Sequence, residues 1–123
     1  KPCDIDKCFQ MLVEQDAQSI VSVHKVKESP YECLRKDQSG NHMIVQSNGP
    51  LRRQDYLEKF YFINGVIYMA HNNFIRKEKA LFKESESILF EMDALRGLDI
   101  DNEDDLVLAQ ALASHSTFMN KCN

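Results

Sequence analysis

The chain has 123 residues, 43% hydrophobic and 28% charged, which is enough apolar surface for one globular domain and too much for a disordered segment. No run approaches the ~18 apolar residues of a bilayer-crossing helix, so no membrane partner is expected. Fifteen Lys and Arg against nineteen Asp and Glu leave a net charge of −4, which argues against nucleic-acid binding through a basic field but allows a small anionic ligand.

The chain opens at Lys1 in mid-pattern, with no apolar targeting segment, as expected of a fragment or a processed chain. Residues 4 to 16 predict a helix. Ile5, Cys8, Phe9, Leu12 and Val13 recur at helical spacing as one apolar stripe, and Asp4 is positioned as its N-cap. Residues 19 to 26, Ser-Ile-Val-Ser-Val-His-Lys-Val, are β-branched and almost continuously apolar, as in a central strand of a covered sheet. From Lys27 to Tyr56 the chain turns rich in Pro, Gly, Ser and Asn, with a short strand at 42 to 46. This stretch reads as a β excursion from the main sheet. Its apolar residues Tyr31, Leu34, Met43, Ile44, Val45, Leu51 and Tyr56 need a partner surface.

Residues 60 to 70 return to strand character around Asn64-Gly65, and a glycine inside a strand signals a bulge or a close backbone approach. A short helix over 72 to 80, a strand over 87 to 92 and a last helix over 102 to 114 follow, with Leu106, Ala109, Leu112 and Ala113 on one side of that helix. Residues 116 to 123 read as a frayed tail. Strands alternating with helices predict an α/β sheet with helices on its faces. Cys3, Cys8, Cys33 and Cys122 form no C-x-x-C pair, so four free thiols in a reducing, cytoplasmic setting are expected.

Two groups of residues could carry chemistry. The first is Leu98-Asp99-Ile100-Asp101-Asn102-Glu103-Asp104-Asp105, where five carboxylates surround the start of a helix. Asp101 or Asn102 can cap that helix, and the next three acids suit its positive end. An extended segment before the cap sends Asp99 and Asp101 to the same side and Ile100 into the core. Paired carboxylates repel unless a cation lies between them, and Mg2+ takes one or two carboxylates plus phosphate oxygens. Helix capping and metal binding both remain open on these residues. The second group is Arg52-Arg53 followed by Asn64-Gly65-Val66-Ile67-Tyr68. Paired arginines are often merely solvated, but the guanidinium fork also matches a carboxylate or phosphate. Asn64 offers a donor and an acceptor beside a glycine that clears space. No G-x-G-x-x-G or G-x-x-x-x-G-K-[ST] loop is present.

The sequence from Ser19-Ile-Val-Ser-Val, through Arg53-Gln-Asp and Asn64-Gly-Val-Ile-Tyr, to Asp99-Ile-Asp-Asn-Glu-Asp-Asp-Leu resembles the C-terminal half of the acylneuraminate cytidylyltransferases, the CMP-sialic acid synthetases. The resemblance spans roughly residues 1 to 113. It implies the C-terminal portion of a Rossmann-like α/β nucleotidyltransferase fold, usually dimeric. It also implies transfer of CMP from CTP to a nine-carbon 2-keto sugar acid, sialic or legionaminic, with Mg2+ and release of pyrophosphate. On this resemblance Asp99 and Asp101 hold the catalytic metal. Asn64, Tyr68, Arg53 with Arg52 as second choice, and the aromatic Phe82 contact the sugar. Residues 27 to 56 correspond to a dimerisation element of a single domain spanning 1 to 123. The spacing from Arg53 to Asn64 is one residue longer than the family pattern. Tyr31-Glu32-Cys33 stands where a lysine often follows the proline. The family's nucleotide-binding loop belongs to the half that is not in this sequence, so the 123 residues alone are expected to be inactive. A non-catalytic assembly module and an unrelated Mg2+-dependent phosphoryl-transfer domain are the competing readings.

Overall fold

A computed structural model describes residues 1–46, 49 and 58–115. Along the chain these form α1 (Pro2–Glu14), β1 (Ser19–Lys25), β2 (Leu34–Lys36), β3 (His42–Ile44), β4 (Tyr61–Ala70), α2 (Asn72–Glu78), β5 (Ser87–Glu91), a 3-10 turn (Ala94–Gly97) and α3 (Glu103–Ser114). The chain divides into two compact units, a larger one made of Lys1–His24 and the residues from Ile63 onward, and a smaller one, Lys25–Phe62.

In the larger unit β1 lies between β4 and β5. It runs parallel to β5, with Ser19 opposite Ser87 and Val23 opposite Glu91. Its direction is opposite to that of β4, because Gln18 accepts from the amide of His71 at 3.0 Å and, four residues on, Ser22 faces Ile67 four residues earlier. The first five residues of β1 are all buried. A strand covered on both faces has no use for polar alternation, which is why its apolar character is nearly continuous. The result is a mixed α/β sheet compatible with a Rossmann-like fold. Cys8 and Leu12 of α1 pack against Ile20, Ile67, Phe90 and Met92, with Met11, Met69 and Ile88 at the margin.

Helix α1 departs from the expected pattern in two ways. It begins at Pro2, with Lys1 rather than Asp4 as its N-cap residue. The fixed φ of proline suits a first helical position. Asp4 is therefore inside the first turn and buried. Of the five-residue stripe, only Cys8 and Leu12 are buried, while Ile5, Phe9 and Val13 are exposed. Helical periodicity identifies residues that share a face; the width of that face actually covered depends on the neighbouring surface, and here that surface spans about one row. Similarly, α3 has no buried residue among those described.

Three further expectations need correction. Ile100 does not enter the core; its side chain is 53% exposed. Cys3 is disulfide-bonded, not free, while Cys8 and Cys33 are free thiols and Cys122 lies outside the described residues. The 3-10 turn at Ala94–Gly97 is an additional element, started by Asp93, whose carboxylate accepts from the amide of Leu95 at 2.9 Å. The tail at 116 to 123 lies outside the described residues. No described helix is long and apolar enough to cross a membrane.

The smaller unit contains an antiparallel hairpin, β2 with β3, in the register Leu34–Ile44, Arg35–Met43 and Lys36–His42. Its turn is closed by Asp37, which accepts from the backbone and side-chain amides of Asn41. Leu34, Met43, Ile44 and Val45 are all exposed. Tyr31 stacks edge-on against Phe60 at 5.4 Å and its hydroxyl donates to Glu58.

Candidate functional site

Strand β4 does not pair regularly along its length. Asn64 accepts, through Oδ1, from the amide of Val66 two residues later, forming a local turn inside the strand. Gly65 sits at the centre of that turn with φ +75°, a conformation that costs an L-residue with a Cβ roughly 1 kcal/mol or more. This is the bulge that a glycine within a strand predicts. Ser22 of β1 closes the gap it leaves. Its hydroxyl donates to Asn64 Oδ1 at 2.6 Å and accepts from the amide of Ile67 at 2.8 Å. One buried serine thus accepts from a strand amide and fixes the Asn64 side chain.

Asn64 is 4% exposed. Its Oδ1 carries two hydrogen bonds, whereas its Nδ2 is buried and has no hydrogen-bond partner among the described residues. An unsatisfied buried amide costs about 1–3 kcal/mol, and the backbone of Gly97 is what covers this donor. Gly97, the last residue of the 3-10 turn, packs directly on this side chain. A Cβ there would lie 2.5 Å from Asn64 Nδ2 and 3.0 Å from Asn64 Cγ, so a larger residue would displace the Asn64 side chain or the turn.

Two residues beyond Gly97 the chain reaches Asp99. Its Oδ2 lies 3.9 Å from where a Cβ on Gly65 would stand. Gly65 and Gly97 together therefore bring the Asn64-Gly65 turn and the Asp99 carboxylate side by side. Both glycines serve close approach, one by its positive φ and one by its missing side chain.

The acidic cluster divides into two parts. Asn102 is the N-cap of α3, its Oδ1 accepting from the amide of Asp105 at 3.0 Å, while Asp105 Oδ2 accepts from the amides of Asp101 and Asn102. This reciprocal box, with Glu103 and Asp104 in the first turn, accounts for three of the five acids by helix-end electrostatics. Asp99 and Asp101 are left over. Both are exposed, and the side chain of Asp101 makes no hydrogen bond among the described residues. Asp99 Oδ1 accepts only from the amide of Ile100. Among the described residues no group of three or more His, Cys, Asp or Glu could hold a metal. Two exposed carboxylates do not make a protein cage; Mg2+ bound through one or two carboxylates keeps its remaining positions for water or phosphate.

The other expected site residues are more scattered. Tyr68 is exposed whereas Asn64 and Ile67 are buried, because the bulge shifts the alternation of β4. Phe82 is half-buried in the loop between α2 and β5. Arg52 and Arg53 lie outside the described residues. Four participants escaped the sequence reading: Ser22, Gly97, Arg96 and the buried Asp4. Ser22 was visible as a hydroxyl in a strand otherwise dominated by β-branched residues, and Gly97 as a glycine just ahead of the acidic run. Arg96 donates to the Asp4 carboxylate across 92 residues of sequence, and no local pattern announces such a contact.

No protein-family model matches the chain. It is 27% identical over 109 residues to an N-acylneuraminate cytidylyltransferase of Streptococcus agalactiae serotype V, covering 87% of this chain and 26% of that protein. It is 26% identical over 108 residues to the proteins of the same name from serotypes III and Ia, with the same coverage. The chain thus spans about a quarter of the length of the curated relatives it matches. Its similarity, distant and spread over most of its residues, is to cytidylyltransferases, a class of nucleotidyltransferase.

Proposed function

We propose that the chain forms the sugar-side and metal-side portion of an N-acylneuraminate cytidylyltransferase, which transfers CMP from CTP to a nine-carbon 2-keto sugar acid. The observation that carries this reading is the junction of the Asn64-Gly65 turn with Asp99 through Gly65 and Gly97. In the proposal, the Asn64-Gly65 turn faces the sugar acid, and Tyr68, Phe82 and Arg53 or Arg52 complete its contacts. Asp99 and Asp101 hold Mg2+ by their carboxylate oxygens, and the ion supplies charge stabilisation for the transferring phosphoryl group. CTP recognition falls to residues other than these 123. The exposed apolar residues of the hairpin, Leu34, Met43, Ile44 and Val45, support a homodimer formed through the 27–56 excursion.

The reading is tested by binding to the labelled chain. N-acetylneuraminic acid at about millimolar concentration is expected to shift the Asn64 side-chain amide and the Tyr68 backbone amide in NMR spectra, and Asn64→Ala to abolish both responses. Mg2+ with CTP is expected to shift Asp99 and Asp101 more than Glu103 and Asp104. A sugar response that survives Asn64→Ala, or none in the wild type, overturns it.

A further inference from the structure

Asp4 is an unusual residue to bury. It sits in the first turn of α1 at 3% exposure, on a helix whose other buried residues are Cys8 and Leu12. An isolated carboxylate cannot be taken out of water without partners. Its Oδ2 accepts from the amino-terminal ammonium at Lys1 at 3.0 Å and from a guanidinium nitrogen of Arg96. The Cys8 thiol also feels its charge. Arg96 belongs to the 3-10 turn, one residue before Gly97 and three before Asp99. The turn itself is short: Asp93 O accepts from the amides of Arg96 at 2.9 Å and Gly97 at 3.2 Å, and among the described residues the bond from Arg96 to Asp4 is what links it to another element. Beyond Gly97 the backbone is irregular as far as the α3 cap.

From this arrangement we propose that Asp4 and Arg96 are a positioning pair. The ion pair ties the 3-10 turn to the first turn of α1, which the Cys8 and Leu12 contacts anchor in the core. By fixing Arg96 it holds Gly97 against Asn64 and so sets where Asp99 emerges beside Gly65. Neither residue touches a substrate or a metal; both act through the glycine and the asparagine. A buried, charge-assisted pair is suited to this, since removing one partner strands the other and moves whatever the pair was holding. The link to Mg2+ rests on the function proposed above, whereas the link to Asn64 does not.

The test compares Arg96→Gln, Asp4→Asn and Arg96→Lys with Phe74→Leu, a substitution at a buried residue of α2 outside the main core cluster. In spectra of the 15N-labelled chain, Arg96→Gln and Asp4→Asn are expected to shift the Asn64 side-chain amide, Gly65 and Gly97. They are also expected to weaken the Mg2+ titration of Asp99 about five-fold. Arg96→Lys, which keeps the charge, should return the signals part of the way. Phe74→Leu should lower the melting temperature with neither signature. If the Arg96 and Asp4 variants lower the melting temperature as Phe74→Leu does and leave Asn64 and Gly97 unmoved, the pair is structural only and the proposal fails. If one variant does not fold, the other two decide the same comparison. If the wild type shows no Mg2+ response at Asp99, the proposed function falls, and the Asn64 and Gly97 shifts still decide the positioning role.

Discussion

Replacing Gly97 with alanine sets a methyl carbon 2.5 Å from Asn64 Nδ2, and one of the two must move. The expected loss is about 1–3 kcal/mol of stability by urea denaturation, with the Asn64 amide signal displaced. Ser22→Ala removes a donor from Asn64 and an acceptor from the amide of Ile67, and should cost a similar ~1–3 kcal/mol. Gly65→Ala, which meets no backbone and has Asp99 Oδ2 at a distance of 3.9 Å, should lose only the ~1 kcal/mol of a left-handed conformation. Ranking the three by urea midpoint checks that packing at Gly97, not backbone strain at Gly65, is the tighter constraint. Cys8 supplies a chemical check. Burial, with the neighbouring Asp4 charge, pushes its thiol up to about 11. It should resist alkylation in the folded chain at neutral pH and react once the chain is unfolded.

At the scale of elements, the pairing of α1 with the 3-10 turn has a pH signature. Burial alone would raise the Asp4 carboxyl, but Arg96 and the Lys1 nitrogen outweigh it and hold the group below its ordinary 3.8. A carboxyl depressed in the folded state contributes stability at pH values above its unfolded value. That contribution is lost as the pH falls through the lower folded value. The stability difference between wild type and Asp4→Asn should therefore be full at neutral pH and shrink as the pH falls below the ordinary 3.8 and through the lower folded value, measured by denaturant midpoints. An unchanged difference across that range counts against the pair. The start of α3 tests the division of the acidic cluster: Asn102→Ala should cost about 1 kcal/mol as a lost cap, while Asp104→Asn should cost a few tenths.

Much of this element-level architecture could be read from residues alone, and the reasons differ by element. The central strand was legible because Ile20, Val21 and Val23 are buried on both faces and leave no alternation to misread. The bulge was legible because Asn64-Gly65 interrupts an apolar run. The cap of α3 was legible because Asn102 precedes three acids. The stripe of α1 was over-read, since Phe9 and Val13 obey the period but remain exposed. Ile100 was misplaced because alternation was assumed in a segment that is not a strand. Ser22 and the Asp4–Arg96 pair were out of reach, as each acquires its role only when distant stretches of chain meet.

For the whole molecule, the comparisons reach about a quarter of the length of the curated relatives, and no family model matches. The expectation of inactivity has a direct measurement. A pyrophosphate-release assay with CTP, Mg2+ and N-acetylneuraminic acid should show no turnover by the 123-residue chain. A rate on the order of 1 per second would mean that these residues hold a nucleotide site of their own. Light scattering addresses the proposed dimer, for which Leu34 and Ile44 at the first rung of the hairpin supply exposed apolar surface. A monomer at high concentration would count against it.

The partnership of β1 with β5 also has a kinetic consequence. Ser19 pairs with Ser87, and Asp4 with Arg96, so partners far apart along the sequence must meet. Such long loops must close before any of these contacts forms, and their closure entropy slows the search. During synthesis, α1 and β1 leave the ribosome well before the residues that complete their sheet. Until Glu91 has followed, the apolar surface of Ile20 and Val21 has no β5 to cover it, and in this interval the nascent chain is exposed to aggregation and to chaperone capture.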